Sequence, residues 1–265
     1  VKIACLQLDI AFGNPAENKR RVQRELEQIC DQQLDVIVLP ELWTTGYDLP
    51  NLQTIADEDG KDTKSFISEL AQLYNVNIVA GSVAKKTKTS ITNTMYVANR
   101  TGDIVGEYSK LHLFRLMDEH LYLQSGDETG FFTLDGTLCA GVICYDIRFP
   151  EWIRAHTVQG ANVLFVVAEW PLPRLSHWRT LLQARAIENQ CYVVACNRAG
   201  TDPNNVFAGH SLIIDPWGNI VNEAGETPCS LIGEIDLAKV SEVRSQIPIF
   251  QDRRLAAYTK AEKIF

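Results

Sequence analysis

Short apolar runs alternate along this chain with longer stretches in which apolar positions recur every three or four residues. The first kind of segment reads as a strand and the second as an amphipathic helix. Lys2-Ile3-Ala4-Cys5-Leu6-Gln7-Leu8 alternates like a strand. Asn14-Pro15 then supplies a helix N-cap and a first-turn proline, and Val22, Leu26, Ile29 and Cys30 keep helical spacing to about residue 33. A strand over 36–39 follows, then a helix carried by Phe66, Ile67, Leu70, Leu73 and Tyr74. Between them Asp57-Glu58-Asp59-Gly60 reads as a solvated turn. Next come a strand over 76–83 and a hairpin whose arms, 92–98 and 104–108, meet at Asn99-Arg100-Thr101-Gly102-Asp103.

The second half repeats the theme. A long segment without obvious pattern, 115–130, leads into an apolar run ending at Cys144, and a loop of that length is more often functional than idle. Helices over 151–159 and 175–187 then alternate with strands over 163–167, 191–196 and 209–214, and two more strands end near Ile235. Residues 35–43 and 162–170 resemble each other: each is an apolar strand followed by a glutamate near a tryptophan. Two such halves would put two sheets back to back with helices on the outer faces. We read 1–265 as one domain, with 238–265, poor in apolar positions, as an arm over a neighbouring surface at a subunit interface.

Composition narrows the class. A formal net charge of −8 without a basic run argues against nucleic acid or an anionic membrane as partner. No apolar run approaches the ~18 residues of a membrane span. The seven cysteines are odd in number and form no CxxC pair, so neither zinc nor a disulfide framework is expected, and a reducing, cytoplasmic setting fits. Cys5, Cys30, Cys139, Cys191 and Cys196 are expected to be buried and inert.

Cys144 is different, because its strand delivers it to a turn followed at once by the Pro150-Glu151 helix start. A sulfur there can act as a nucleophile, with turn N–H groups near to receive an oxyanion, although a free cysteine in an apolar run is also an ordinary core residue. A thiol with a pKa near ~8.5 needs a base or a cation beside it. Glu41 and Lys110 stand past the ends of two other strands and can supply both. Taken singly, Glu41 is as well read as a solvated loop carboxylate and Lys110 as a surface lysine. His112 shares a strand face with Lys110 only if that strand continues, and His120, His156, His177 and His210 lie in loop or helix contexts with no orienting aspartate at a suggestive distance.

Leu39-Pro40-Glu41, Tyr108-Ser109-Lys110-Leu111-His112-Leu113 and Gly141-Val142-Ile143-Cys144-Tyr145-Asp146-Ile147-Arg148-Phe149-Pro150-Glu151, in this order, resemble the nitrilase superfamily of carbon-nitrogen hydrolases over nearly the whole chain. The resemblance implies an α/β fold, a four-layer α-β-β-α sandwich that pairs into a homodimer. It implies Glu41 as general base, Lys110 as oxyanion stabiliser, Cys144 as nucleophile and Glu119 as a further glutamate orienting substrate or water. It requires neither metal nor organic cofactor. Residues 40–47, 168–174 with His177-Trp178, and 184–190 are most similar to the ω-amidase branch, which hydrolyses the terminal amide of 2-oxoglutaramate and related 2-oxo acid amides. Such a substrate carries a carboxylate, for which Arg148 or Arg174 is the candidate partner, Arg148 having Asp146 or Glu151 as alternative partners. The Tyr145 backbone N–H is placed at the oxyanion, and Trp43, Tyr47, Phe149 and Trp170 are candidate pocket walls, each also readable as core. The competing readings are an N-carbamoyl or aliphatic amide hydrolase with the same three residues, and a non-catalytic binding or scaffold protein.

Overall fold

Ile3 and Cys5 lie in one apolar layer while Ala4 and Leu6, on the same strand, lie in another. Val36 and Val38 separate from Ile37 in the same way, as do Val79 from Ile78 and Val97 from Tyr96 and Ala98. Successive side chains of a strand point to opposite faces, so strands apolar on both faces belong to a sheet covered on both sides. One face meets helices and the other meets a second sheet.

The computed structural model describes residues 1–262. In chain order the first half contains β1 (Lys2–Gln7), α1 (Pro15–Ile29), β2 (Val36–Val38), α2 (Leu52–Ile55), β3 (Asp57–Glu58), α3 (Lys61–Tyr74), β4 (Asn77–Lys86), β5 (Ile91–Ala98) and β6 (Ile104–Ser109). There follow α4 (Glu119–Tyr122), β7 (Phe131–Leu134), β8 (Thr137–Ile143), α5 (Pro150–Thr157), β9 (Val163–Ala168), α6 (Leu175–Asn189) and β10 (Tyr192–Asn197). β11 (Leu212–Ile214), β12 (Ile220–Glu223), β13 (Cys229–Glu234), α7 (Ala238–Gln246) and α8 (Leu255–Glu262) complete the described residues.

One sheet has the order β13-β1-β2-β4-β5-β6, with β3 beside β4, and the other the order β12-β11-β10-β9-β8-β7. Each has a parallel centre, β1-β2-β4 and β8-β9-β10, flanked by antiparallel strands. Val22 and Leu26 of α1 and Ile67 and Leu70 of α3 cover the outer face of the first sheet. Ile153 of α5 and Trp178, Leu182 and Ala186 of α6 cover the second. The inner faces meet directly, Cys196 of β10 lying 3.4 Å from the carbonyl of Leu6 and 3.3 Å from that of Val38. The result is the expected four-layer α-β-β-α sandwich.

Four local expectations are corrected. Asp57-Glu58 pairs with β4 rather than forming only a turn, and the Asp57 carboxylate accepts from the N–H groups of Asp62 and Thr63, 3.1 and 2.8 Å away, at the start of α3. The segment 115–130 is shaped by a 3-10 turn at Arg115–Met117 and by α4, and β7 follows as a hairpin arm that the apolar pattern does not reveal. Cys30 is exposed, because it begins the turn that ends α1 and points off the amphipathic face, whereas Cys5, Cys139, Cys191 and Cys196 are buried. The C-terminal stretch divides: α7 docks on its own chain through Val240, Val243 and Arg244, whose guanidinium reaches the Ala161 carbonyl at 2.7 Å, while the side chains of 255–261 are exposed.

Candidate active site

Four buried side chains meet where strands of both sheets end. Beyond β2 the chain turns at Leu39-Pro40, and Leu42 takes a left-handed φ of 41°. The turn rests on a bulge in β4: Ser82 Oγ accepts the Leu42 N–H at 2.9 Å, and the Ser82 N–H donates to the Pro40 carbonyl at 3.2 Å. Gly81 makes this approach possible, since its φ is +56° and a Cβ there would lie 1.9 Å from the Pro40 oxygen. Glu41 is thereby aimed inward. Its Oε1 accepts from Lys110 Nζ and Asn93 Nδ2, both at 2.8 Å, and from the Tyr47 hydroxyl at 3.2 Å. Its Oε2 accepts from the backbone N–H of Glu169 at 2.9 Å, across the sandwich.

Lys110 follows β6, its N–H bonded to the Asn93 carbonyl at 2.8 Å. Its ammonium joins Glu41 to Glu119, 2.8 and 2.6 Å away, and all three side chains are fully buried. Glu119 begins α4 after the left-handed Asp118; its Oε1 also accepts from the Tyr47 hydroxyl at 2.5 Å, and its Oε2 from the Phe114 N–H at 2.7 Å.

Cys144 ends β8 with φ +47°, a conformation that costs a non-glycine residue about 1–3 kcal/mol and that the surroundings must hold. Asp146 holds it: one carboxylate oxygen accepts from the Ile143 N–H (3.0 Å) and the Tyr108 hydroxyl (2.7 Å), the other from the His112 N–H (3.0 Å). The His112 ring bonds that second oxygen at 2.8 Å and stacks on Phe149 at 3.6 Å. His112 is thus held by an aspartate supplied through space, and it fastens the turn of the nucleophile rather than the sulfur.

The charges acting on Cys144 are Glu41, Lys110 and Glu119. Burial, then the Glu41 carboxylate, push the thiol well above its ordinary range, and Lys110 offsets only part of this. Lys110 thus favours the thiolate, as expected, but its ammonium is shared with two carboxylates and the balance of the surroundings favours the thiol. Burial opposes the charge on Lys110 itself, but Glu119 and Glu41 outweigh it and hold the ammonium well above its usual range. Burial raises Glu119, with Lys110 acting against it.

Outside the sulfur lies a narrow cleft walled by Phe114, Met117, Tyr145, Arg148, Trp170 and Arg174. The Arg148 guanidinium lies 4.9 Å over the Trp170 ring, and Arg174 lies 5.4 Å over Phe114. Arg148 bonds His177 Nδ1 at 3.2 Å and pairs with neither Asp146 nor Glu151, because both Asp146 oxygens are taken by the turn that it closes. The placement of Trp43 in the pocket is corrected: the left-handed Leu42 reverses the chain, and the indole packs under α3 against Phe66, donating to the Ala80 carbonyl at 2.8 Å. Tyr47 stands behind the charged cluster rather than on the cleft wall, and Phe149 backs His112. Asn93, Phe114 and Met117 escape the sequence reading, which offers Asp146 only as a motif residue and a partner for Arg148, and Glu169 only as the echo of Glu41.

Residues 2–245 match the carbon-nitrogen hydrolase family model. The 2-oxoglutaramate amidase of Bacillus subtilis (strain 168) is 57% identical over 256 residues, 97% of this chain and 98% of that protein. The omega-amidase YafV of Escherichia coli (strain K12) is 37% identical over 254 residues, 95% of this chain and 96% of that protein. Among solved structures, XC1258 of Xanthomonas campestris, a CN-hydrolase superfamily protein with an arsenic adduct in its active site, is 31% identical with a TM-score of 0.90, covering 96% of this chain and 97% of that one.

Proposed function

This chain belongs to the carbon-nitrogen hydrolase family, and from that premise we propose that Cys144 cleaves the terminal amide of a small 2-oxo acid amide through a thioester, with Glu41 as general base. The enzyme is an amidase of the ω-amidase type, and the reaction yields the acid and ammonia from a 2-oxoglutaramate-like substrate. The observation that carries the catalytic reading is the burial of Glu41, Lys110 and Cys144, from three distant strand ends, within reach of one another's charge.

In the first half-reaction the sulfur attacks the amide carbonyl as its proton passes to Glu41. Burial and the Glu41 charge favour the thiol, and in this reading proton transfer accompanies attack. The oxyanion falls between the Lys110 ammonium and the Tyr145 backbone N–H, donors of a kind worth ~2.7 to 4 kcal/mol each. Glu41 returns the proton to the leaving nitrogen, the C–N bond breaks and ammonia departs. Water then attacks the thioester as Glu41 takes its proton, and the acid leaves with the thiol restored. Glu119 serves by fixing Lys110 and Tyr47. Arg148 and Arg174, with no carboxylate partner among the described residues, meet the distal carboxylate.

Assembly as a homodimer and a cytoplasmic setting belong to the same reading. All seven cysteines are free thiols, and no described helix is long and apolar enough to cross a membrane. Ammonia release from 2-oxoglutaramate, succinamate, an N-carbamoyl amino acid and a neutral aliphatic amide tests the substrate class. 2-Oxoglutaramate and succinamate are expected to give the highest kcat/KM, and a preference for the N-carbamoyl compound would overturn the assignment.

A further inference from the structure

We infer that the buried Glu169–Arg198 pair positions the general base, steadying Glu41 through the backbone N–H of Glu169. The inference rests on reading Glu41 as that base. Glu169 follows β9 as Glu41 follows β2, and each carboxylate meets a buried cation, Arg198 at 2.7 Å and Lys110 at 2.8 Å. Only one of these two pairs has a part in the chemistry derived above. The other touches it at one point: Oε2 of Glu41 accepts from Glu169 N at 2.9 Å, whereas Oε1 has three donors. Where Oε2 points therefore depends on where the backbone of residue 169 sits.

Arg198 decides that position. Its Nη1 donates to Glu169 Oε2, its Nη2 donates to the carbonyls of Ile10 (2.9 Å) and Thr201 (3.0 Å), and its guanidinium lies 4.1 Å over the Phe207 ring. A side chain so held cannot follow a drifting partner, so the carboxylate of residue 169 is tethered to a fixed point. The next residue is framed separately, the Trp170 N–H donating to Asn197 Oδ1 at 2.6 Å. The cleft wall thus keeps its place when the pair is broken, which separates an effect on the base from an effect on substrate binding.

Stability does not account for the pair. Glu169 and Arg198 share a single hydrogen bond, and Glu169 Oε1 and Arg198 Nε have no partner. With a buried carboxyl oxygen left unpaired, the pair gains little over an apolar pair of the same volume. Burial indeed pushes the Glu169 carboxyl up to about 8 against the opposing charge of Arg198.

The test compares Glu169→Leu, Glu169→Asp, Glu169→Gln and Glu41→Gln by single-turnover ammonia release from 2-oxoglutaramate, with KM and melting temperature measured in parallel. Glu169→Leu removes the side-chain tether and leaves the 168–169 peptide held only by the Arg198 N–H bond to the Ala168 carbonyl (3.0 Å), and Glu169→Asp draws it toward Arg198 by one methylene. Each should lower the acylation rate about 10- to 100-fold, as small misplacements of a catalytic group do, with KM held within about twofold. Glu169→Gln, whose amide oxygen still accepts from Arg198, should recover most of the rate. Wild-type acylation in Glu169→Leu or Glu169→Asp, or a loss confined to KM or melting temperature, would overturn the inference. Should Glu169→Leu fail to fold, Glu169→Asp decides by the same criterion. If Glu41→Gln itself acylates at the wild-type rate, the reading of Glu41 as base falls, a failure distinct from that of the pair.

Discussion

At Cys144 the backbone and the side chain make opposite demands: the left-handed φ of +47° is strain, and the sulfur's surroundings raise its proton affinity instead of lowering it. Both fit a nucleophile that gives up its proton only during attack. Cys144→Ala leaves the backbone strain unchanged and removes only a buried thiol. Its stability should therefore stay within about 1 kcal/mol of wild type while turnover vanishes; measurable ammonia release would exclude the thioester. Lys110 presents the converse case. Lys110→Met strands Glu41 and Glu119 as two buried carboxylates without a cation, which should cost about 3–5 kcal/mol, read as a shift of the urea midpoint. A variant as stable as wild type would mean that the cluster does not depend on its ammonium. Glu169 adds a pH signature. A carboxyl raised from 4.5 to about 8 contributes stability that is fully present below pH 4.5 and lost as pH climbs through 8. Between pH 5 and pH 8 the wild-type melting temperature should fall further than that of Glu169→Gln; parallel declines would refute the shift.

The elements explain how residues so far apart arrive together, and why only some were legible in the sequence. Glu41, Lys110 and Cys144 each stand just past an apolar strand, and strand ends are what hydrophobic patterning marks well. The turn geometry beyond those ends is not marked. Nothing in the alternation of 76–83 announces the bulge at Gly81 that seats the Glu41 turn, and nothing announces the left-handed Leu42 that sends Trp43 under α3 rather than into the pocket. Likewise Asn93 looks like any polar strand residue until the register of β5 against β4 brings it beneath Glu41. His112 and Asp146 are 34 residues apart and meet only because β6 and β8 end side by side. The bulge gives the element-scale prediction. Gly81→Ala would force a Cβ to within 1.9 Å of the Pro40 oxygen at a φ of +56°, so the backbone beneath Glu41 must move. We expect a loss above about 2 kcal/mol together with a fall in kcat larger than any rise in KM. Thermal melts and steady-state kinetics on one preparation check both, and an Ala variant that keeps wild-type kcat would show that the bulge does not set the base.

At the scale of the whole molecule the C-terminal stretch is out of keeping with the sandwich. Up to α7 the chain pays back its exposure: Val240 and Val243 are buried, and Arg244 caps strand ends through Ala161, Asn162 and Gln190. Beyond it, Leu255 and Tyr258 remain 57% and 47% exposed on α8, and Ile247 just before them is 47% exposed. A helix of eight residues is too short to persist alone in water, so α8 needs a surface, and its described side chains all remain exposed on its own chain. A second copy, presenting the same faces by two-fold symmetry, would supply one, as the arm reading requires. Light scattering should then give twice the 29.7 kDa chain mass at micromolar concentration. A chain ending at residue 250 should dissociate at concentrations where the longer one does not, and its α7 contacts should keep the fold intact. A full-length chain that runs as a 29.7 kDa monomer, or a shortened one that dimerises equally well, would remove the arm from the interface.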